Sequence, residues 1–242
     1  MKSCLPSDTR TLRPVPTQLH TDSPALTRLA PMLLLPEECD YIIDKAKASG
    51  RSQSETGEGR EGVVDDYRTS TTAHQAMEDP VVACLARRLS TLAGMPRSSA
   101  ELQVTAYEPG QEFKAHTDDP ERPPARKRLR TIFAYPSDGF ADGSCGGATL
   151  FTKLRSGLRV FPRKGEGLMW SNYTPDGKLD ARTEHAGEPV TCEGLTKWGL
   201  NVWLRDDALR RAPSPRRGIL ARRRKRERRG PPRRKKHARS TK

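Results

Sequence analysis

Residues 102–118, LQVTAYEPGQEFKAHTD, decide how this chain is built, because a strand-like run there delivers a histidine and a carboxylate two positions apart. Residues 102–107 alternate apolar and polar, the period of a half-buried strand, and Glu108, Pro109, Gly110 and Gln111 supply the turn chemistry that ends it. In an extended segment the period of two brings His116 and Asp118 to one face, where both can reach a single cation. A second histidine, His185, stands far downstream in EHAGEPV, just before another strand-like run. Two imidazoles and one carboxylate on one side of a metal leave its other side open, a set that suits iron(II), whereas thiolates favour zinc or clusters. A bare His-x-Asp also recurs on solvated surfaces, so the tripeptide needs its context.

Outward from this stretch, strand signals lie at residues 129–135, 148–151, 158–161, 167–171 and 198–204, separated by turn residues. Two helices precede them. Pro36 is placed as a first helical residue, Glu37 and Glu38 fill the first turn, and Cys39, Ile42, Ile43 and Ala46 make an apolar stripe ending near Gly50. Asp79 caps the second, with Pro80 at its first position, Val82, Leu85, Ala86 and Leu89 on one face, and a stop at Gly94 and Pro96. Helices first and short strands after predict an α+β fold, a double-stranded β-helix (jelly-roll, cupin-like) core with the N-terminal helices packed on one side. Residues 51–62 are polar and glycine-rich and read as a mobile loop, and His74 reads as solvated.

The chain of 242 residues has room for one domain of ordinary size. Charge divides it. Residues 205–242 hold 18 of the 44 Lys and Arg but three of the 30 Asp and Glu, which leaves 26 basic against 27 acidic residues before them. The partition expected is a disordered leader at residues 1–29, a folded domain at residues 30–206 with its metal core at residues 102–205, and a disordered basic tail at residues 207–242. The N-terminus lacks the apolar stretch of a secretory signal, and no run is long enough to cross a bilayer, so the expectation is a soluble chain, cytoplasmic or nuclear. Cys4, Cys39, Cys84, Cys145 and Cys192 have no zinc or disulfide-framework spacing, and an odd count fits a reducing compartment. Nothing in the sequence sets an oligomeric state.

From residue 102 to residue 205 the chain resembles, segment by segment, the catalytic domain of the prolyl 4-hydroxylases, members of the 2-oxoglutarate and Fe(2+)-dependent dioxygenases. LQVTAYEPGQEFKAHTD resembles the family's first metal segment. RLRTIFAYPSD, GGATLFT, GLRVFPRKGEGLMWSN, PDGKLDARTEHAGEPV and KWGLNVWLR resemble the segments that follow, in the same order. The resemblance implies His116, Asp118 and His185 as iron(II) ligands, with 2-oxoglutarate and O2 as cosubstrates and L-ascorbate as reductant. It also implies oxidative decarboxylation to succinate and carbon dioxide, coupled to hydroxylation of a proline-containing peptide or protein.

By the same resemblance Lys197 holds the far carboxylate of 2-oxoglutarate, Tyr107 hydrogen-bonds it, and Arg128 and Trp203 hold the substrate peptide. The loop at residues 51–62 resembles a lid, and RTSTTAHQ from Arg68 resembles an Arg-Thr-Ser segment of the family. Twelve positions separate His185 from Lys197, about two more than the family pattern, with the surplus in TCEGLT. A loop bulge there leaves the lysine in place, and a register shift displaces it. Asp119 is the alternative carboxylate but falls on the other face of the strand. Two other functions stand beside this one. The basic tail invites the same chemistry on nucleic acid, or contact with an acidic partner, although demethylases of that kind usually anchor the keto acid with arginine. A non-enzymatic binding module with a decayed site fits poorly, because both histidines, the aspartate and the lysine are present.

Overall fold

The computed structural model describes residues 3–5, 14–19, 26–54, 67–119, 127–154 and 157–206. In chain order they form β1 (Val15–Gln18), β2 (Thr27–Ala30), α1 (Pro36–Ala48), β3 (Ser52–Gln53), β4 (Thr71–His74), α2 (Pro80–Leu92) and β5 (Ala100–Tyr107). Then follow β6 (Phe113–His116), β7 (Arg128–Ala134), β8 (Thr149–Phe151), β9 (Leu158–Val160), β10 (Gly167–Ser171), β11 (His185–Gly187) and β12 (Lys197–Arg205). Residues 208–242 form a separate unit that lies outside the described residues, as do residues 55–62 of the glycine-rich loop.

Capping chemistry places both helices. Asp79 Oδ1 accepts the main-chain N–H groups of Val81 and Val82, each at 2.9 Å, and Pro80 fills a position whose N–H would have no helical acceptor. In α1 the Glu38 side chain reaches back to accept the N–H of Leu35 at 3.0 Å. Both its oxygens also accept from Arg88 of α2 at 2.7 Å, an ion pair buried between the helices.

The strands pair antiparallel into two sheets, an eight-stranded one ordered β1-β2-β10-β7-β12-β5-β4-β3 and a four-stranded one ordered β6-β11-β8-β9. This is the jelly roll with helices that the order of sequence signals predicts. The period of two decides what each strand shows to either side. Leu102, Val104 and Ala106 of β5, with Leu200, Val202 and Leu204 of β12, pack against Ile42, Val82 and Leu85 of the helices. Phe133, Tyr135, Phe151, Leu168 and Trp170 fill a second cluster. The polar side of β5, Gln103, Thr105 and Tyr107, is therefore not the solvent side of a half-buried strand. All three are buried, and they share the inner face with Lys197 and Asn201 of β12.

Two expectations are corrected. Residues 1–29 are not wholly a disordered leader, because β1 and β2 extend the larger sheet beyond β10. Strands of four residues, one of them exposed throughout, are held by pairing with a neighbour rather than by an apolar face of their own, so their pattern is too short to read. Strands thus also precede and separate the helices. The cysteines form two disulfides, Cys4–Cys84 and Cys145–Cys192, with Cα atoms 5.5 Å and 4.9 Å apart. Their partners are 80 and 47 residues apart in sequence, so no spacing rule could pair them. Cys39 is left free and buried, its thiol pushed up to about 12 by burial. Among the described residues no helix is long and apolar enough to cross a membrane.

Candidate metal centre

β6 and β11 run antiparallel with His116 opposite His185, which brings the two imidazoles to 4.4 Å between ring centres. Asp118 follows β6, and its Oδ1 lies 3.9 Å from His185 Nε2. One ligand atom from each of His116, Asp118 and His185 falls within 4.8 Å of the others. Main-chain carbonyls set both tautomers. His116 Nδ1 donates to Lys114 O at 2.8 Å and His185 Nδ1 to Thr183 O at 2.9 Å, so the proton sits on Nδ1 and the Nε2 lone pair is free for a metal.

Burial, and then the neighbouring His185, drives the His116 pKa down to about 3, which keeps the ring neutral as a ligand must be. Burial alone would raise the Asp118 carboxyl, but the two histidines, the Thr131 hydroxyl and Arg128 hold it below the usual carboxylate range. A neutral His116 imidazole and an ionised Asp118 carboxylate are the forms in which these groups suit iron(II).

Asp118 is held on every side. Trp203 Nε1 donates to Oδ1 at 3.1 Å, Thr131 Oγ1 to Oδ2 at 2.6 Å, and Arg128 Nη1 to the main-chain oxygen at 2.8 Å. The Arg128 guanidinium also lies 4.0 Å from the Trp203 ring centre. Arg128 and Trp203, the pair expected to hold substrate, thus commit polar atoms to Asp118, Trp203 to its carboxylate and Arg128 to its main-chain oxygen, and of the two only Trp203 lines the cleft. Asp119 stays out of the cluster, accepting the Tyr173 hydroxyl instead.

Lys197 begins β12 directly opposite Tyr107 of β5. It is 1% exposed, with Nζ 5.0 Å from the Tyr107 ring centre and 5.9 Å from that of Phe133. Among the described residues no hydrogen bond or ion pair reaches Nζ. Burial pulls its pKa down to about 7, opposed only by the charge of Glu188. Residues 191–196 before it form a turn and loop. Val190 bridges to Pro109 and Gly146, and Cys192 is tied to Cys145, so β12 enters the sheet in register.

A cleft of about 380 Å³ is lined by His116, Asp118, His185, Tyr107, Phe133 and Arg68 among others, and Lys197 adjoins it through the Tyr107 and Phe133 rings without lining it. Arg68 is missing from the sequence-derived set of site residues. Buried in the cleft wall, it donates from Nη2 to Gln103 Oε1 at 3.1 Å and sits 4.7 Å from the ring centre of Phe113, which in turn stacks on His116 at 3.6 Å. Its short Arg-Thr-Ser run was visible, but the place of that run beside the metal depends on β4 pairing with β5. Thr131 and Thr149 were equally silent, since a threonine in a strand reads as ordinary sheet.

Residues 102–205, which include His116, Asp118, His185 and Lys197, match the family model described as the 2OG-Fe(II) oxygenase superfamily. Prolyl 4-hydroxylase 1 of Arabidopsis thaliana is 31% identical over 200 residues, covering 72% of this chain and 67% of the relative. Prolyl 4-hydroxylase subunit alpha-1 of Gallus gallus is 33% identical over 202 residues, covering 81% of this chain and 38% of the relative. The chain belongs to the prolyl 4-hydroxylase family of 2-oxoglutarate- and iron(II)-dependent dioxygenases.

Solved structures agree on the fold. The viral collagen prolyl hydroxylase of Paramecium Bursaria Chlorella virus-1, in its 2OG complex, has a TM-score of 0.59 at 24% identity, over 76% of this chain and 97% of that one. A Trichoplax adhaerens prolyl hydroxylase, bound to a hypoxia inducible factor peptide, has a TM-score of 0.62 at 17% identity, over 80% and 89%. This chain spans about two thirds of the plant relative and under two fifths of the avian subunit, at 67% and 38%.

Proposed function

We propose that the protein is a peptidyl-proline 4-hydroxylase. The observation that carries this reading is Lys197, a buried cation with no anionic hydrogen-bond partner, placed between two aromatic rings that line the same cleft as the His116, Asp118 and His185 cluster. A dicarboxylate that chelates a metal at one end and needs a cation at the other matches this arrangement.

His116 Nε2, Asp118 Oδ1 and His185 Nε2 hold the metal. When bound there, iron(II) couples the decarboxylation of 2-oxoglutarate by dioxygen to the insertion of one oxygen atom into a substrate C–H bond. Lys197 pairs with the far carboxylate, and the Tyr107 hydroxyl donates to the same group. Desolvation makes that pairing strong, since the lysine gains a counter-ion where water cannot supply one. Phe133 and Phe113 keep water from the cleft walls, and Trp203 presents its ring to the incoming peptide while its N–H holds Asp118. This reading also expects ascorbate as the accompanying reductant. The proline substrate is supported by the relatives that carry that name across most of this chain.

Incubating the purified chain with iron(II), ascorbate, 2-oxoglutarate and a peptide library tests the substrate. Gain of one oxygen atom on proline is the expected result, and gain on another residue type with proline untouched would overturn the assignment. A second feature favours an additional contact. The dense basic residues of the tail suit an electrostatic arm for nucleic acid or an acidic partner, with sequence-independent, salt-sensitive binding. Truncation after Asp207 is expected to abolish retention on heparin without changing turnover of a short peptide. Unchanged retention would place the basic surface elsewhere.

A further inference from the structure

Behind Asp118, on the side away from Trp203, a chain of buried polar groups runs into the protein. Thr131 Oγ1 donates to Asp118 Oδ2 at 2.6 Å. Asn172 Nδ2 donates to Thr131 Oγ1 at 3.1 Å and to the main-chain oxygen of Arg128 at 2.9 Å. Trp170 Nε1 donates to Asn172 Oδ1 at 2.9 Å. Thr131 and Asn172 are 0% exposed and Trp170 is 1% exposed, so none of these bonds competes with water.

Every proton in the chain has one possible direction. An indole N–H can only donate, so Asn172 must turn its carbonyl oxygen toward Trp170 and its amide NH2 toward Thr131. That NH2 occupies a lone pair of the Thr131 hydroxyl, whose own hydrogen is then left for Asp118. The far end of the chain touches a second ligand directly, because the Trp170 ring stands edge-on to His185 at 4.9 Å between centres and 65° between planes. One tryptophan therefore bears on two ligands, one by its ring and one through two hydrogen-bonded side chains.

We infer that Thr131, Asn172 and Trp170 are positioning residues for the metal. Together they fix the Asp118 carboxylate so that Oδ1, the oxygen beside His185 Nε2, is the one offered to the cation. A buried carboxylate gripped only at Oδ1 by Trp203 can turn about its Cβ–Cγ bond. With Oδ2 tied to Thr131 it cannot, and the ligand geometry is set before metal arrives. The strand positions make this possible, since β7 supplies Thr131, the last part of β10 supplies Trp170 directly opposite it, and Asn172 follows just beyond the end of β10. The inference rests on His116, Asp118 and His185 being the metal ligands.

The test measures manganese(II) affinity of the full chain by competition with a chelator, without turnover. Thr131→Val keeps the side-chain shape and removes the hydroxyl. It is expected to retain the fold, by circular dichroism, and to lose metal affinity by roughly 10–100-fold, the usual cost of removing a group that orients a ligand. Thr131→Ser, which restores the hydroxyl, is expected to bind within about threefold of the unaltered protein, well short of that 10–100-fold loss. Asn172→Ala is expected to fall between them, and if it fails to fold the two Thr131 variants decide the matter. Unaltered affinity in Thr131→Val overturns the inference, and so does equal loss in Thr131→Ser, which would make the effect one of packing. His116→Ala separates this from the ligand assignment. If it binds manganese(II) normally, the metal site itself is misassigned, whereas loss in His116→Ala with no loss in Thr131→Val sinks the relay alone.

Discussion

A lysine buried to 1% exposure without a paired carboxylate costs the ligand-free protein stability, and the direction of that cost is testable. In the unfolded chain the group titrates near 10.5, and in the fold near 7. Between those values the unfolded chain binds the extra proton, so the ligand-free protein gains stability as pH rises across that window, and the full penalty applies below it. Lys197→Met is expected to stabilise the ligand-free protein by on the order of a few kcal/mol at neutral pH and to flatten the pH slope of its unfolding midpoint. Binding shows the opposite sign. The dissociation constant for 2-oxoglutarate on the manganese(II)-loaded protein is expected to stay level below the lysine pKa of about 7 and to weaken by up to tenfold per pH unit above it. Calorimetry across that range checks both the slope and its turning point, and a constant value would remove Lys197 from the cosubstrate site. The sequence singled out His116, Asp118 and His185 as candidate ligands by residue type and spacing, and the resemblance added Tyr107 and Lys197 as candidates. Thr131, Asn172 and Arg68 were not among them. Their chemistry appears only when the register of β7, β10 and β4 brings them to the site.

The elements around the lysine depend on the loop that precedes β12. Gly147, in the segment bridged to that loop, approaches so closely that a Cβ there would lie 3.1 Å from Phe140 and 3.4 Å from Lys197 Cδ. The Cys145–Cys192 disulfide ties this wall to the TCEGLT loop. Replacing both cysteines by serine is expected to lower stability by about 2–4 kcal/mol and to raise the 2-oxoglutarate KM several-fold while leaving kcat nearly unchanged. An unaltered KM alongside the lower unfolding midpoint would show that the bridge serves stability alone. Element by element, both helices were readable because caps, prolines and an apolar stripe agree over 13 residues each. The longer strands β5, β7, β10 and β12 were readable because runs of five to nine apolar-rich residues are bounded by turn residues. Strands β1 to β4, two to four residues long, carry too few positions to show a period, whereas the short β8 and β9 were read from their apolar residues, and β6 and β11 were visible only through the candidate ligands they carry.

At the scale of the whole molecule, the two helices that back the sheet are joined to each other by a buried ion pair, Arg88–Glu38. Arg88 outweighs the burial of Glu38 and holds its pKa below the ordinary 4.5, so the pair stabilises the fold above that value and loses its contribution as pH falls through the folded-state pKa. Glu38→Gln leaves Arg88 buried without its counter-charge. The expected loss is about 3–5 kcal/mol at neutral pH, with a shallower acid limb than the unaltered protein in pH-dependent unfolding. Equal acid limbs would mean that other carboxylates govern acid unfolding. This layer supports the sheet on its outer face, and the metal and cosubstrate groups occupy the inner one, so a dioxygenase site is assembled from strands whose two faces answer to different demands. The most direct test of that account is to measure, in one reaction, carbon dioxide released from C1 of 2-oxoglutarate and oxygen gained by a proline peptide. Equal amounts of the two products are predicted for the unaltered chain, with neither formed by His185→Ala. Peptide hydroxylation without 2-oxoglutarate consumption, or undiminished turnover in His185→Ala, would contradict it.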